Sequence, residues 1–299
     1  MGLMRSQIHF FLALFMSLGA AIAQPTETPK IEKVSSKITV VTAGYNGLIT
    51  IFNSEAGPVI VDTADVPSAA SVLAIVQAID PRPVQAVIVT HFHADHTGGL
   101  GMLAAGTSVY LDDVCLDSLR KLESKNGDPL VKAKSVVHSH TGTVLSFGTG
   151  NVRLVRPHAG HTAGDTVVIF EKEKVIAAGD LFFNGLAPYI DVEDGADTAN
   201  WAETIESLCK QFPGFKVIPG HGPISDTEGW LGFAQYLRAL HKDVAAAIRM
   251  GLTREQAMES VKLEAFTSIH DAGDFLTKKK NVGWVYDEMT HKRPASTRN

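Results

Sequence analysis

Three histidines and one aspartate stand within six consecutive positions of the segment Val89-Thr90-His91-Phe92-His93-Ala94-Asp95-His96-Thr97-Gly98-Gly99. Imidazole nitrogens and carboxylate oxygens are ligands for zinc and other borderline divalent metals. The cluster follows Val84-Gln85-Ala86-Val87-Ile88-Val89, an apolar run that reads as a buried strand. A turn at a strand end can aim several side chains into one cleft while the sheet holds their bases rigid. Gly98 and Gly99 would let the backbone pass close to such a site. Four more polar groups stand where an apolar strand-like run ends. They are His161 in His158-Ala159-Gly160-His161-Thr162, Asp180 in Ala178-Gly179-Asp180, His221 in Ile218-Pro219-Gly220-His221, and Asp62 after Pro58-Val59-Ile60-Val61. The chain has 12 histidines, and all but His9 lie beyond residue 90. That distribution points to a metal.

The elements that must position these groups alternate between two periods. Strands are expected at Ile38–Val41, Leu48–Phe52, Val59–Val61, the 84–89 run, Val109–Leu111, Thr143–Phe147, Val152–Val155, Thr166–Phe170, Lys174–Ala178 and Phe215–Ile218. Helical spacing runs over Val66–Ile79 up to Asp80-Pro81, then follows Thr97, and covers Asp112–Leu122 and Thr198–Phe212. It returns with Phe233, Leu237, Leu240, Val244 and Ile248, and Thr253 with Gln256 forms a capping-box pattern. The mixture implies two sheets with helices outside them, an α/β sandwich in layers. The last fifty or so residues read as helical and are expected to form a lid or an edge.

Composition narrows the class. The chain has 299 residues, 45% of them hydrophobic and 20% charged, with a formal net charge of −5. No long basic run is present, so nucleic acid is not an expected partner; a small-molecule substrate is. Arg5, the apolar run Phe10–Met16 and the Ala21-Ile22-Ala23 signature read as a signal peptide over 1–23, implying periplasmic or secreted protein. No later run is long and apolar enough for membrane insertion once that leader is cleaved. Residues 24–36 read as a polar linker. Export would permit a disulfide between Cys115 and Cys209. Yet Cys209 shares a helical face with Trp201, Ile205, Leu208 and Phe212, and Cys115 is spaced with Leu119 and Leu122. Both therefore read as small core residues.

Taken in order, Asp62, His91-x-His93-x-Asp95-His96, His161, Asp180 and His221 resemble the metallo-β-lactamase superfamily, the similarity covering about residues 37–225. The resemblance implies an αβ/βα four-layer sandwich with a two-metal site along the edge of its sheets, and 226–299 as a C-terminal helical extension of the same domain. It implies that His91, His93 and His161 bind one metal, that Asp95, His96 and His221 bind the other, and that Asp180 bridges them. Asp62 would support the histidine loop from behind without being a ligand. Two Zn2+ are the expected cofactors, with iron or manganese as alternatives. Two divalent ions bring four positive charges; Asp95, Asp180 and a hydroxide shared by the metals would offset three. Such a hydroxide, available near neutrality, would attack a carbonyl whose oxyanion the cations stabilise. Asp95 and Asp180 are thus the catalytic candidates, and an ester, lactone, thioester or cyclic amide is the expected substrate.

Asp180 also bears on which hydrolase this is. In zinc β-lactamases of the superfamily, cysteine or serine usually stands at that motif, whereas a bridging aspartate resembles glyoxalase II-like and exported sulfur-oxidation or quinoprotein-associated hydrolases. A zinc β-lactamase is the first alternative and a non-catalytic periplasmic metal-binding or accessory protein the second. Weaker candidates surround the cluster. Tyr45, Asn184 and Tyr189 stand where the family places substrate-facing groups. Thr162 and Asp165 read as supports, His158 as a rim or structural residue, and His138 and His140 as surface histidines sharing a strand face. Trp230 and Trp284 read as packing residues, and Lys278-Lys279-Lys280 as a solvated charge run.

Overall fold

The computed structural model describes residues 28–123, 130, 134–138 and 142–290, with the backbone only at 123 and 134–138. The leader signature and His140 lie outside these residues. The first half of the chain forms β1 (Lys30–Lys33), β2 (Ile38–Ala43), β3 (Gly47–Ser54), β4 (Gly57–Val61), α1 (Val66–Ile79), β5 (Ala86–Ile88), α2 (Ala94–Thr97), β6 (Ser108–Asp112), α3 (Asp113–Glu123) and β7 (Lys134–His138). The second half forms β8 (Thr143–Phe147), β9 (Gly150–Val155), β10 (Val167–Phe170), β11 (Val175–Phe183), α4 (Thr198–Gln211), β12 (Lys216–His221), β13 (Ser225–Asp226), α5 (Thr227–Arg249), α6 (Arg254–Ser260) and α7 (Lys278–Thr290).

Local chemistry accounts for the boundaries. Asp65 caps α1 by accepting from the Ser68 amide, proline occupies its first turn, and Asp80 before Pro81 ends it. Asp197 and Asp226 cap α4 and α5 in the same way. Thr253 and Gln256 make the reciprocal capping box of α6. β4 and β11 are buried at every position, as strands covered on both faces must be.

Three buried clusters define the layers. One lies between the two halves and joins Val40, Phe52, Val59 and Ile88 to Val152, Val168, Phe170 and Ile218. A second covers the outer face of the first half with Val72 and Val76 of α1 and Leu116 and Leu119 of α3. The third covers the outer face of the second half with Trp201 and Ile205 of α4, Phe233 and Leu237 of α5, and Val282 and Val285 of α7. Helix, sheet, sheet and helix therefore stack in four layers, the expected sandwich.

The structure departs from the sequence expectations in four places. The 24–36 segment is not all linker, because Lys30–Lys33 pairs antiparallel with β2. The strands form one continuous curled sheet rather than two, since the halves meet at the pair His221 with Gly47. The helix expected after Thr97 is a 3-10 turn at Leu100–Met102, and a separate single turn over Ala94–Thr97, not expected, makes the metal-ligand candidates Asp95 and His96 themselves helical. The C-terminal segment expected as a lid or edge is in part core, with Val282 and Val285 of α7 buried while Phe275 before that helix stays exposed. Cys115 and Cys209 are free and buried in different clusters, so there is no bridge. Among the described residues no helix is long and apolar enough to cross a membrane.

Candidate metal centre

Strand ends deliver the chemistry-bearing groups to one place. His91 and His93 follow β5, His161 follows β9, Asp180 lies within β11, and His221 ends β12. His91, His93, His161 and Asp180 form one group in which a donor atom from each lies within 4.8 Å of the others. Asp95, His96 and His221 form a second group by the same measure. Asp180 joins the two. Its Oδ2 lies 3.5 Å from His161 Nε2 and 3.8 Å from His91 Nε2 in the first group. Its Oδ1 lies 3.2 Å from His96 Nε2 and 3.5 Å from His221 Nε2 in the second. Gly220 makes room for this carboxylate: a Cβ there would stand 1.9 Å from Asp180 Oδ1.

Hydrogen bonds decide which ring nitrogen of each histidine faces inward. His161 Nδ1 donates to the Tyr189 carbonyl at 2.9 Å, leaving the Nε2 lone pair for the cluster. His96 Nδ1 donates to Asp62 Oδ2 at 2.8 Å, with the same result. The Thr90 hydroxyl donates to Asp62 Oδ2, so its oxygen accepts from His91 Nδ1 at 3.0 Å, and His91 also presents Nε2. His93 is turned the other way. Its Nε2 donates to Asp191 Oδ2 at 3.0 Å, and its Nδ1 lies 3.1 Å from His91 Nε2 and 3.0 Å from His161 Nε2. Phe183 stacks on His221 at 5.2 Å between ring centroids. Asp62 further accepts from the Thr90 amide and adopts a left-handed φ of 65°, tying the end of β4 to the histidine turn. A carboxylate behind a ligand imidazole fixes its orientation and raises its basicity.

The donor set fits a metal pair. His96 Nε2 and Asp180 Oδ1 are buried, face each other and make no hydrogen bond. Buried polar atoms left in that state each cost about 1–3 kcal/mol, a penalty that a cation accepting both lone pairs removes. Without a cation the charges sort themselves. Burial pushes the His91 imidazole well down, and burial takes His161 to about 4, so these two rings are neutral. Burial also disfavours charge on His221, but Asp180 and Asp95 outweigh it and lift His221 to about 9. His96 is raised by the same carboxylates against the same burial. Burial opposes the charge on Asp95 and Asp180 too, but the nearby imidazoles hold both below the usual carboxylate range.

The centre opens on one side. His93 and Asp95 keep 18% and 24% of their side-chain surface exposed, while His91, His96 and Asp180 keep 5% or less. Tyr45 is 73% exposed at the turn between β2 and β3, which borders His221 through Gly47. The Tyr189 ring faces the first group, with its centroid 5.6 Å from that of His93. Asn184 is engaged elsewhere: its side-chain amide donates to the Pro223 carbonyl, and its backbone amide donates to His221 O. Asp165 closes the His161 loop by accepting from the Thr162 amide and hydroxyl. His158 is exposed, His138 ends β7, and Trp230 is fully buried. Sequence reasoning missed Asp191 and Thr90, which hold His93 and His91. Thr90 adjoins the motif and a hydroxyl there was a usable signal, whereas Asp191 carries no local signature.

The Metallo-beta-lactamase superfamily model matches residues 42–221. The chain belongs to that superfamily. As a metallo-β-lactamase-fold hydrolase it retains both His/Asp metal-binding groups. The type 2 metallo-beta-lactamase of Bacillus cereus is 29% identical over 218 residues, 69% of this chain and 81% of that protein. Two solved structures share the fold. The stereoselective inverting sec-alkylsulfatase from Pseudomonas sp. has a TM-score of 0.68 at 17% identity, covering 88% of this chain. This chain spans 50% of the sulfatase's length. The metallo-beta-lactamase from Pontibacter korlensis has a TM-score of 0.55 at 23% identity, over 69% of this chain and 99% of that one.

Proposed function

We propose that this protein is an exported binuclear zinc hydrolase that opens an ester, lactone, thioester or cyclic amide at its carbonyl. The observation that carries the reading is the Asp180 carboxylate, which turns one oxygen to each ligand group. His91, His93, His161 and Asp180 would hold one ion, and Asp95, His96, His221 and Asp180 the other. When bound, the pair would activate water at neutral pH and polarise the scissile carbonyl. Asp62, Thr90, Asp191 and the Tyr189 carbonyl hold the imidazoles in the tautomers that ligation requires. The exposed edge at His93 and Asp95 is where substrate would enter. Arg5 and the Ala21-Ile22-Ala23 signature support export ahead of the mature chain.

A second reading, β-lactam hydrolysis, is favoured by the Bacillus cereus relative. Aspartate rather than cysteine or serine at position 180 weighs against it. One experiment separates the readings: rates on a panel of aryl esters, lactones, thioesters and β-lactams, with metal content measured on the same sample. Two zinc equivalents with ester or lactone turnover are expected. Efficient β-lactam turnover without ester or lactone turnover reverses the ranking, and two metals with no turnover at all favours the accessory-protein alternative.

A further inference from the structure

Tyr189 borders the first ligand group, with its ring centroid 5.6 Å from His93 and 5.9 Å from His161. Two more rings continue outward from it. Phe275 lies 5.4 Å and Trp284 5.2 Å from Tyr189, and these two are 5.6 Å from each other. Phe275 and Trp284 both fall beyond residues 42–221, in the C-terminal segment that the family model does not reach. They differ in setting. Trp284 is half-buried and packs on the core, while Phe275 is 46% exposed.

A single exposed phenylalanine needs no explanation. This one is held in place against the centre. The His270 amide donates to the Gly185 carbonyl and the Ala187 amide to the His270 carbonyl, joining the C-terminal segment to the Tyr189 loop. Fully buried Asn281 donates to the Pro188 carbonyl at 2.6 Å and accepts from the Tyr236 hydroxyl at 2.6 Å. Lys280 Nζ stands 5.2 Å from the Phe275 ring centroid, a cation–π contact, so this lysine is more than part of a solvated charge run. Two rings on rigid supports thus lead from the ligand imidazoles to solvent. A fixed aromatic surface beside a reaction centre stabilises an apolar substituent of the substrate, because the ordering cost is already met by the fold.

We infer that Tyr189 and Phe275, backed by Trp284, form the binding wall for an aromatic group on the acyl side of the substrate. The inference rests on the hydrolase reading and narrows its substrate class to arylacyl esters, thioesters or aryl-substituted lactones. Filling such an apolar surface changes discrimination by roughly 10–200-fold per group accommodated.

The test uses the full-length mature chain loaded with zinc. Calorimetry compares 1-naphthylacetate with acetate, and kinetics compare 4-nitrophenyl phenylacetate with 4-nitrophenyl acetate, which share a leaving group. Naphthylacetate is expected to bind at least about tenfold more tightly than acetate, and the phenylacetyl ester to be preferred through KM. Phe275→Ala should shrink both ratios several-fold, Phe275→Tyr should restore them, and Met250→Ala, at the exposed residue just past α5, should leave them unchanged. Equal affinity for the two carboxylates, or ratios that survive Phe275→Ala and Phe275→Asp, overturns the wall. Tight naphthylacetate binding with no ester hydrolysis overturns the hydrolase reading and leaves the wall standing. Hydrolysis of both esters at equal kcat/KM does the reverse.

Discussion

Asp191 Oδ2 accepts a hydrogen bond from Nε2 of His93, a residue 98 positions earlier, at 3.0 Å. The contact makes His93 the one histidine of the first group that presents Nδ1, while His91 and His161 present Nε2. Asp191 is in turn locked in place: its other oxygen accepts from the Asp194 amide, and its own amide donates to the His161 carbonyl. One carboxylate thereby connects two ligands of one group.

Removing that carboxylate frees the His93 ring to rotate and to protonate at the wrong nitrogen. Asp191→Ala should lower the affinity for the first-group metal by about 10–100-fold and reduce turnover in parallel. Asp191→Asn keeps an acceptor and should fall between the two. Competition with a chromogenic zinc chelator reads the affinity directly. Wild-type affinity in Asp191→Ala would show that packing alone orients His93.

Asp180 contributes one negative charge to both groups at once. Asp180→Asn should bind the second metal most weakly and lose most of its turnover, with partial recovery in excess zinc. Titration of zinc into chelator-treated protein, followed by activity, is the measurement. Two tightly bound metals with full activity in Asp180→Asn would exclude a bridging role. Asp180→Ser tests separately whether β-lactam turnover rises.

The indole nitrogens of Trp201 and Trp230 both donate to the Leu181 carbonyl, at 2.9 and 3.0 Å. β11 leaves its register with β12 between Gly179 and Phe183, which turns this carbonyl out of the ladder beside Asp180. Either indole alone still satisfies the carbonyl, but losing both strands a buried acceptor at about 1–3 kcal/mol. Trp201→Phe with Trp230→Phe should therefore destabilise by more than the sum of the singles in urea denaturation. Additive effects would mean that ring packing, rather than the shared acceptor, matters.

Burial lifts the Asp165 carboxyl to about 7 in spite of its hydrogen bonds from Thr162. The folded protein then binds more protons than the unfolded chain between about pH 4 and 7. Its contribution is favourable at low pH and is lost as pH rises through that window, on the order of a few kcal/mol. Asp165→Asn removes the titration. In metal-stripped protein, the stability of the variant relative to wild type should therefore rise from pH 4 to pH 7. A flat difference between the two denaturation series would contradict the shift.

Much of the site was legible in the chain because its ligands are local. A run such as His91-x-His93-x-Asp95-His96 needs only one strand end to aim it, and His161, Asp180 and His221 each sit where an apolar strand-like run ends in glycine. Periodicity and caps likewise identified most strands and the helices that cover them, because a strand end, the Asp80-Pro81 stop or a capping box is decided by neighbours a few residues away. What remained hidden depends on partners far apart in sequence.

The chain by itself determined the ligand types, their order and the layered fold. Tertiary structure alone decided that Asp191 reaches His93, that Asp62 takes the Thr90 hydroxyl proton and so sets the His91 tautomer, and that two tryptophans share the Leu181 carbonyl. It also decided that Lys30–Lys33, polar in composition, becomes an edge strand once β2 offers its hydrogen-bonding side. The same holds for Phe275, whose place beside Tyr189 follows from the backbone bonds of His270 to Gly185 and Ala187 and from the Asn281 side-chain amide on the Pro188 carbonyl. The physical reason is common to all of them. A hydrogen bond or ring contact between distant residues leaves no periodic trace in either segment, so its geometry exists only after the layers have packed.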